Sequence, residues 1–155
     1  MTRLRKQQLD QRIAKAEGAL RRLGHVDSER QTGSPQTIVI TITHPGWGTP
    51  MAAQLSFVET WILEGGLWTL AKYAYDLRLR PGPGRFGFHW HDGRYHEHCV
   101  DPADPGRDHH FAGDPVDLFA AFDRFTAILN GKEPLTCAGL RPLRGYRAIC
   151  PSRAE

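Results

Sequence analysis

No stretch of this 155-residue chain gathers the roughly 20 consecutive apolar residues that a membrane-crossing helix needs. The first 25 residues are basic and polar without a continuous apolar centre, so they do not read as a secretory leader. Cysteine is scarce too. Cys99, Cys137 and Cys150 are an odd number at no metal-site spacing, which argues against a disulfide framework and for a reducing compartment. Gly82 and Gly84 precede neither the Lys-Ser/Thr of a phosphate loop nor a dinucleotide-binding spacing. The chain has no nucleophile elbow and no internal repeat. These absences point to a soluble, cytoplasmic domain with no membrane partner.

What is present suffices for one packed domain: 40% of residues are hydrophobic and 10% aromatic, too much apolar surface for a disordered chain. The net charge of +3 is unevenly spread. Residues 1–25 carry a net +5 and residues 132–155 a net +3, so the middle is −5. Basic ends suit a nucleic-acid backbone or an acidic protein, and equally a solvated helix and tail.

The apolar pattern predicts an α+β domain over residues 1–131, with 132–155 as an irregular basic tail. Leu9, Ile13, Ala16, Leu20 and Leu23 recur at helical spacing, so residues 1–24 hold a basic helix with one narrow apolar stripe. Such a stripe packs on a sheet, on a second helix, or on its counterpart in a homodimer. Residues 26–36 read as a linker. About five antiparallel strands in meander order follow over 37–100, beginning with the alternation of Thr37 to Thr43. Gly65-Gly66 then joins two long runs in a hairpin that sets Leu63 opposite Trp68, Trp61 opposite Leu70, Glu59 opposite Lys72 and Phe57 opposite Ala74. Residues 101–114 read as a loop. A helix over 114–130 starts with Asp114 as N-cap and Pro115 at its first helical position, with Leu118, Phe119, Phe122, Phe125 and Leu129 on one face.

Six of the eight histidines fall between positions 89 and 110. Asp92-Gly93 is a favoured two-residue turn because both central residues must take positive φ. With that turn, His91 lies opposite Arg94, Trp90 opposite Tyr95, His89 opposite His96, and Phe88 opposite Glu97. One face then presents His89, His91, Arg94, His96 and His98. The other presents Phe88, Trp90, Tyr95, Glu97 and Cys99, with Cys99 as a small apolar core residue. Imidazoles about 4.5–5.5 Å apart at Cβ cannot all be charged cheaply. Such a face holds a metal ion, shares protons in acid–base work, or lines an anion site, if it is more than surface packing.

In the metal reading His89, His91, His96 and His98 bind zinc, nickel or manganese as neutral ligands, in a non-enzymatic or regulatory domain. In the acid–base reading no cofactor is required. One histidine takes the proton of a ribose 2′-hydroxyl, another protonates the leaving oxygen, and Arg94 stabilises the phosphorane with help from Lys72 or Arg78. His109 and His110 sit on a nearby loop able to close over the face. A third class of function is an interaction module built on the basic N-terminal helix.

Tyr73-x-Tyr75 in a strand, Arg94-Tyr95-His96 closing a hairpin, His98, and His109-His110 before a helix resemble the TumE-like toxin family of bacterial toxin–antitoxin systems. The resemblance covers roughly residues 53–130; His96 stands where the family has an aspartate, and no third histidine follows His109-His110. It implies a toxin acting as an RNA-directed ribonuclease, with an antitoxin protein encoded nearby. Taken together, the favoured expectation is a toxin-like ribonuclease using His89, His91, Arg94, His96 and His98, with Lys72, Arg78, His109 and His110 assisting.

Overall fold

The computed structural model describes residues 2–45, 52–105, 109–141 and 143, of His109 the backbone only. The elements are β1 (Arg3–Leu4), α1 (Lys6–Leu20), β2 (His25–Arg30), β3 (Gln36–His44), β4 (Ala52–Glu64), β5 (Leu67–Arg80), β6 (Arg85–His91), β7 (Arg94–Val100), β8 (His109–Ala112) and α2 (Leu118–Leu129). β2 to β8 pair in sequence order as one antiparallel meander, and β1 pairs with β5. The α+β class is as expected. The sheet among the described residues has eight strands, against the five expected.

The three extra strands share a cause. β2 is exposed at nearly every position, so it carries no apolar alternation to mark it; its backbone pairs with β3 from His25 opposite Thr43 to Arg30 opposite Ile38. β1 is two residues that dock on Thr69 and Trp68, which delays the helix start to Lys6. β8 lies where Pro and Gly suggested a loop, and it pairs with β7 through four residues. Edge pairing of this kind is decided by the neighbouring strand and not by a local pattern.

Both helices lie on one face of the sheet. Ile38, Ile40 and Ile42 of β3, Leu55 and Phe57 of β4, Tyr75 and Leu77 of β5, and Phe86 and Phe88 of β6 form the core beneath them. Leu9, Ala16 and Leu20 of α1 are buried in that core, with Ile13 and Leu23 packed against it. The stripe considered for a homodimer is therefore used within the chain. α2 begins later than expected, because Asp117 rather than Asp114 caps it by accepting the amide of Ala120 at 2.8 Å. The residues before it stay extended, with the Val116 amide donating to the Tyr73 hydroxyl. Phe125 of α2 packs on Phe57 and Phe88, each at 5.8 Å between ring centres.

Cys99 is fully buried on the core side, as expected, but it is disulfide-bonded to Cys137 across 38 residues of chain. This corrects the expectation that the cysteines form no disulfide framework; spacing alone could not show that the chain after α2 returns to β7. Backbone bonds from the Ala112 amide to the Arg141 carbonyl and from the Leu143 amide to the His110 carbonyl hold that returning segment against β8. Cys150 and Trp47 lie outside the described residues. Among the described residues, no helix is long and apolar enough to cross a membrane.

The β4–β5 register holds only near its turn. Leu63 faces Trp68 and Trp61 faces Leu70, but Thr60 rather than Glu59 faces Lys72, because Ala71 is an extra residue on β5. Beyond this bulge Glu59 faces Tyr73 and Phe57 faces Tyr75, and Glu59 turns inward beneath α1. Its carboxylate accepts from Arg12 at 2.8 Å, from the Tyr75 hydroxyl at 2.7 Å and from the Trp61 indole at 3.0 Å. Burial, with that carboxylate alongside, raises the Tyr75 hydroxyl well above its ordinary pKa. Removing one partner of a buried pair strands the other, at a cost of about 3–5 kcal/mol. Glu59→Ala is expected to lower unfolding free energy by that order in urea titration, and Glu59→Gln, whose one amide oxygen keeps an acceptor for Arg12 and Tyr75 while the Trp61 indole loses its own, by less.

Candidate functional site

The pleat sends alternate residues of each strand to opposite sides, and residues paired across strands share a side. On the side away from the helices this makes adjacent rows across the sheet. One row runs Ala74, His89, His96, Ala112; the next runs Asp76, Gly87, His98, His110. A third holds His91 opposite Arg94. The expected hairpin register is observed at every pair, with Asp92 at φ 52° and Gly93 at φ 71° in the turn.

His89, His91, His96 and His98 are therefore brought together as expected, and His110 joins them from within the sheet itself. The rings cover one another. Centre-to-centre distances are 5.4 Å for His89–His96, 4.1 Å for His89–His98, 4.8 Å for His91–His96, 5.0 Å for His96–His98 and 4.2 Å for His98–His110. His89, His96 and His98 are buried although they lie opposite the helical layer, and His91 and His110 are half-buried. His109 pairs through its backbone with Cys99 rather than with His98, and its side chain lies outside the described residues.

The cations are peripheral. Arg94 is exposed at the rim beside the turn, and Lys72 and Arg78 are exposed on the same side of β5, beyond Ala74 and Asp76. Three contributors were not anticipated: Asp76, Arg85 and Gly87. Asp76 receives His89 Nε2 at 3.0 Å on one oxygen and Arg85 Nε and Nη2 at 3.0 and 2.8 Å on the other. Asp76 is the one acidic residue of β5, a signal visible in the sequence. The Pro81-Gly82-Pro83-Gly84 connection hid which residues of β6 it would meet.

The electrostatics follow from this packing. Burial works to raise the Asp76 carboxyl, but the hydrogen bond from His89 and the charges of His89 and Arg85 outweigh it and hold it well below the usual carboxylate range. His96 is pushed down to about 3, first by burial and then by the positive charge that His98, His89, His91 and His110 would carry. His96 is thus a neutral imidazole at physiological pH. Its Nε2 lies 3.1 Å from Nε2 of His98, a separation that suits a proton shared between neutral rings or two ligands of one cation.

No protein-family model, curated protein or solved structure matches the chain. The chemistry of this face is what speaks for its function.

A depressed histidine pKa in the folded state means that the unfolded chain binds the proton more readily. The stabilisation is present above pH 6.5, the unfolded value, and is lost as pH falls from there through about 3. With metal ions removed by chelator, the folding free energy is expected to be flat above pH 7 and to decline from 6.5 downward. His96→Asn should reduce that decline by close to one proton, measured by urea unfolding at stepped pH.

Proposed function

We propose that the face of β6, β7 and β8 binds a divalent transition-metal ion through imidazole nitrogens, and that the domain acts as a metal-binding protein. The observation that carries this reading is the ligand geometry. His89, His91 and His96 form one group, and His96, His98 and His110 another, each with ligand atoms within 4.8 Å of one another. Two nitrogens bound to a tetrahedral zinc at 2.0–2.1 Å lie about 3.3 Å apart, close to the 3.1 Å between His96 and His98. The other separations, within 4.8 Å, would have to contract toward that value for either group to close on an ion. Three histidines also leave a fourth position for water or another ligand. Ligands that are all imidazole favour zinc, nickel or copper over manganese, which prefers oxygen.

Acid–base cleavage of RNA draws less support from the same face. An imidazole titrating near 3 is a poor proton donor at neutral pH. The rings of His89, His96 and His98 are buried, while the phosphate-binding candidates Lys72, Arg78 and Arg94 are exposed around them. Toxin activity, an RNA target and an antitoxin partner rest on the sequence resemblance alone. Cytoplasmic residence rests on composition, and the Cys99–Cys137 disulfide fits an oxidising compartment better.

The test is direct titration. Chelator-stripped protein is expected to take up zinc in competition with a chromophoric chelator and to melt at higher temperature when loaded. Because His96 belongs to both groups, His96→Ala should weaken binding most, beyond the ~10–100-fold typical for loss of a supporting residue. His91→Ala and His110→Ala, which each disable one group, should weaken it less. Absence of uptake by the unmodified chain would refute the reading.

A further inference from the structure

Asp76 stands opposite Gly87 in the β5–β6 ladder, and Gly87 sits between Arg85 and His89 on the same side of β6. A Cβ at position 87 would lie 2.4 Å from Asp76 Oδ1 and 3.0 Å from the Tyr75 carbonyl. Only glycine leaves the hollow into which the carboxylate leans. From there it reaches along β6 in both directions, to Arg85 on one oxygen and to His89 on the other. His98 is the β7 residue paired with Gly87, and its ring stands 4.1 Å from that of His89. One missing side chain thus makes room for an anionic clamp beside the imidazole cluster.

We infer that Asp76 is a positioning residue for the metal-binding face: held by Arg85 and admitted by Gly87, it fixes His89 as the tautomer that carries its proton on Nε2 and presents Nδ1 to the ion. This inference rests on the metal reading of the same face. Its chemistry is short. An ionised carboxylate has only acceptors, so the hydrogen between Asp76 Oδ2 and His89 Nε2 belongs to the histidine. In a neutral ring the other nitrogen then holds the lone pair. Carboxylates that accept from a ligating histidine orient the ring and raise its basicity. Arg85 spends two donors on the other oxygen, which keeps the carboxylate from rotating away or entering the coordination shell itself.

Two measurements decide it. In 15N-labelled unmodified protein, two-bond nitrogen–proton correlation spectra should show His89 protonated at Nε2 before zinc is added, with the Nδ1 resonance moving on loading. Asp76→Asn replaces an acceptor by an amide able to donate to Nε2, which drives the histidine proton onto Nδ1. That variant is expected to bind zinc about 10–100-fold more weakly and to show the exchanged tautomer, while its circular dichroism in chelator matches the unmodified chain. Gly87→Ala, which forces the carboxylate out of its hollow, should move affinity in the same direction. If Asp76→Asn fails to fold, the spectrum of the unmodified protein still decides the case. Zinc bound through Nε2 of His89, or bound as tightly by a folded Asp76→Asn, would overturn the inference and leave the metal reading standing. If the unmodified chain takes up no zinc, the metal reading fails first and the inference with it.

Discussion

The two-residue Asp92-Gly93 turn sets the register of β6 against β7, and on that register every feature of the histidine face depends. The side-chain period of a strand is two, so a slip of one residue would send His89 and His91 to the helical side and bring Phe88 and Trp90 out. Asp92 and Gly93 both take positive φ, which closes the strands with no residue to spare. The aromatic side of the same hairpin guards the register from below. Phe88 packs on Phe125 and Trp90 stacks on Tyr95 at 5.4 Å, so the core and the imidazole face specify each other.

A second constraint lies one strand away. The extra residue Ala71 shifts β5 against β4, and beyond it Glu59 points into the core and meets Arg12, Trp61 and Tyr75. The bulge also sets which residues of β5 face the histidines. Tyr73 and Tyr75 stack inward at 4.5 Å between ring centres, so alternation places Ala74 and Asp76 on the opposite side. The offset places Asp76 beside His89, whereas Glu59 reaches the core side by its alternation with Leu55, Phe57 and Trp61 along β4. Each is a carboxylate held by an arginine, Glu59 buried in the core and Asp76 half-buried on the opposite face.

The parts legible in the sequence were those where local chemistry decides. The Asp-Gly turn, the alternation of β3, the apolar stripes of α1 and α2 and the gathering of His89, His91, His96 and His98 follow from turn preference and periodicity. What escaped was decided at a distance. The polar segment His25–Arg30 is a strand because β3 offers it an edge. His110 sits in β8 because β7 recruits it across a segment full of Pro and Gly. Asp76 meets His89 because of a β5–β6 register that the Pro81-Gly82-Pro83-Gly84 connection leaves open. Cys137 finds Cys99 only because the chain after α2 turns back to β7.

The charge balance of the face bears on what an ion there would do. Asp76 and Arg85 offset each other, and the imidazoles are neutral ligands, so a bound divalent cation would keep nearly its full charge. Sites of this composition attract an anionic fourth ligand and acidify bound water. The exposed guanidinium of Arg94, paired with His91 at the rim, adds positive potential on the side by which a solute would approach. A burial pattern that keeps His96 neutral down to about pH 3 favours occupancy in the same way, since protons compete with the metal for the nitrogen. The hydrophobic underside of β6 and β7 supplies rigidity. Ligand spacing then depends on strand pairing, whose distances vary far less than those of a loop, and this is the physical reason a flat sheet face can serve where loops more often carry such sites.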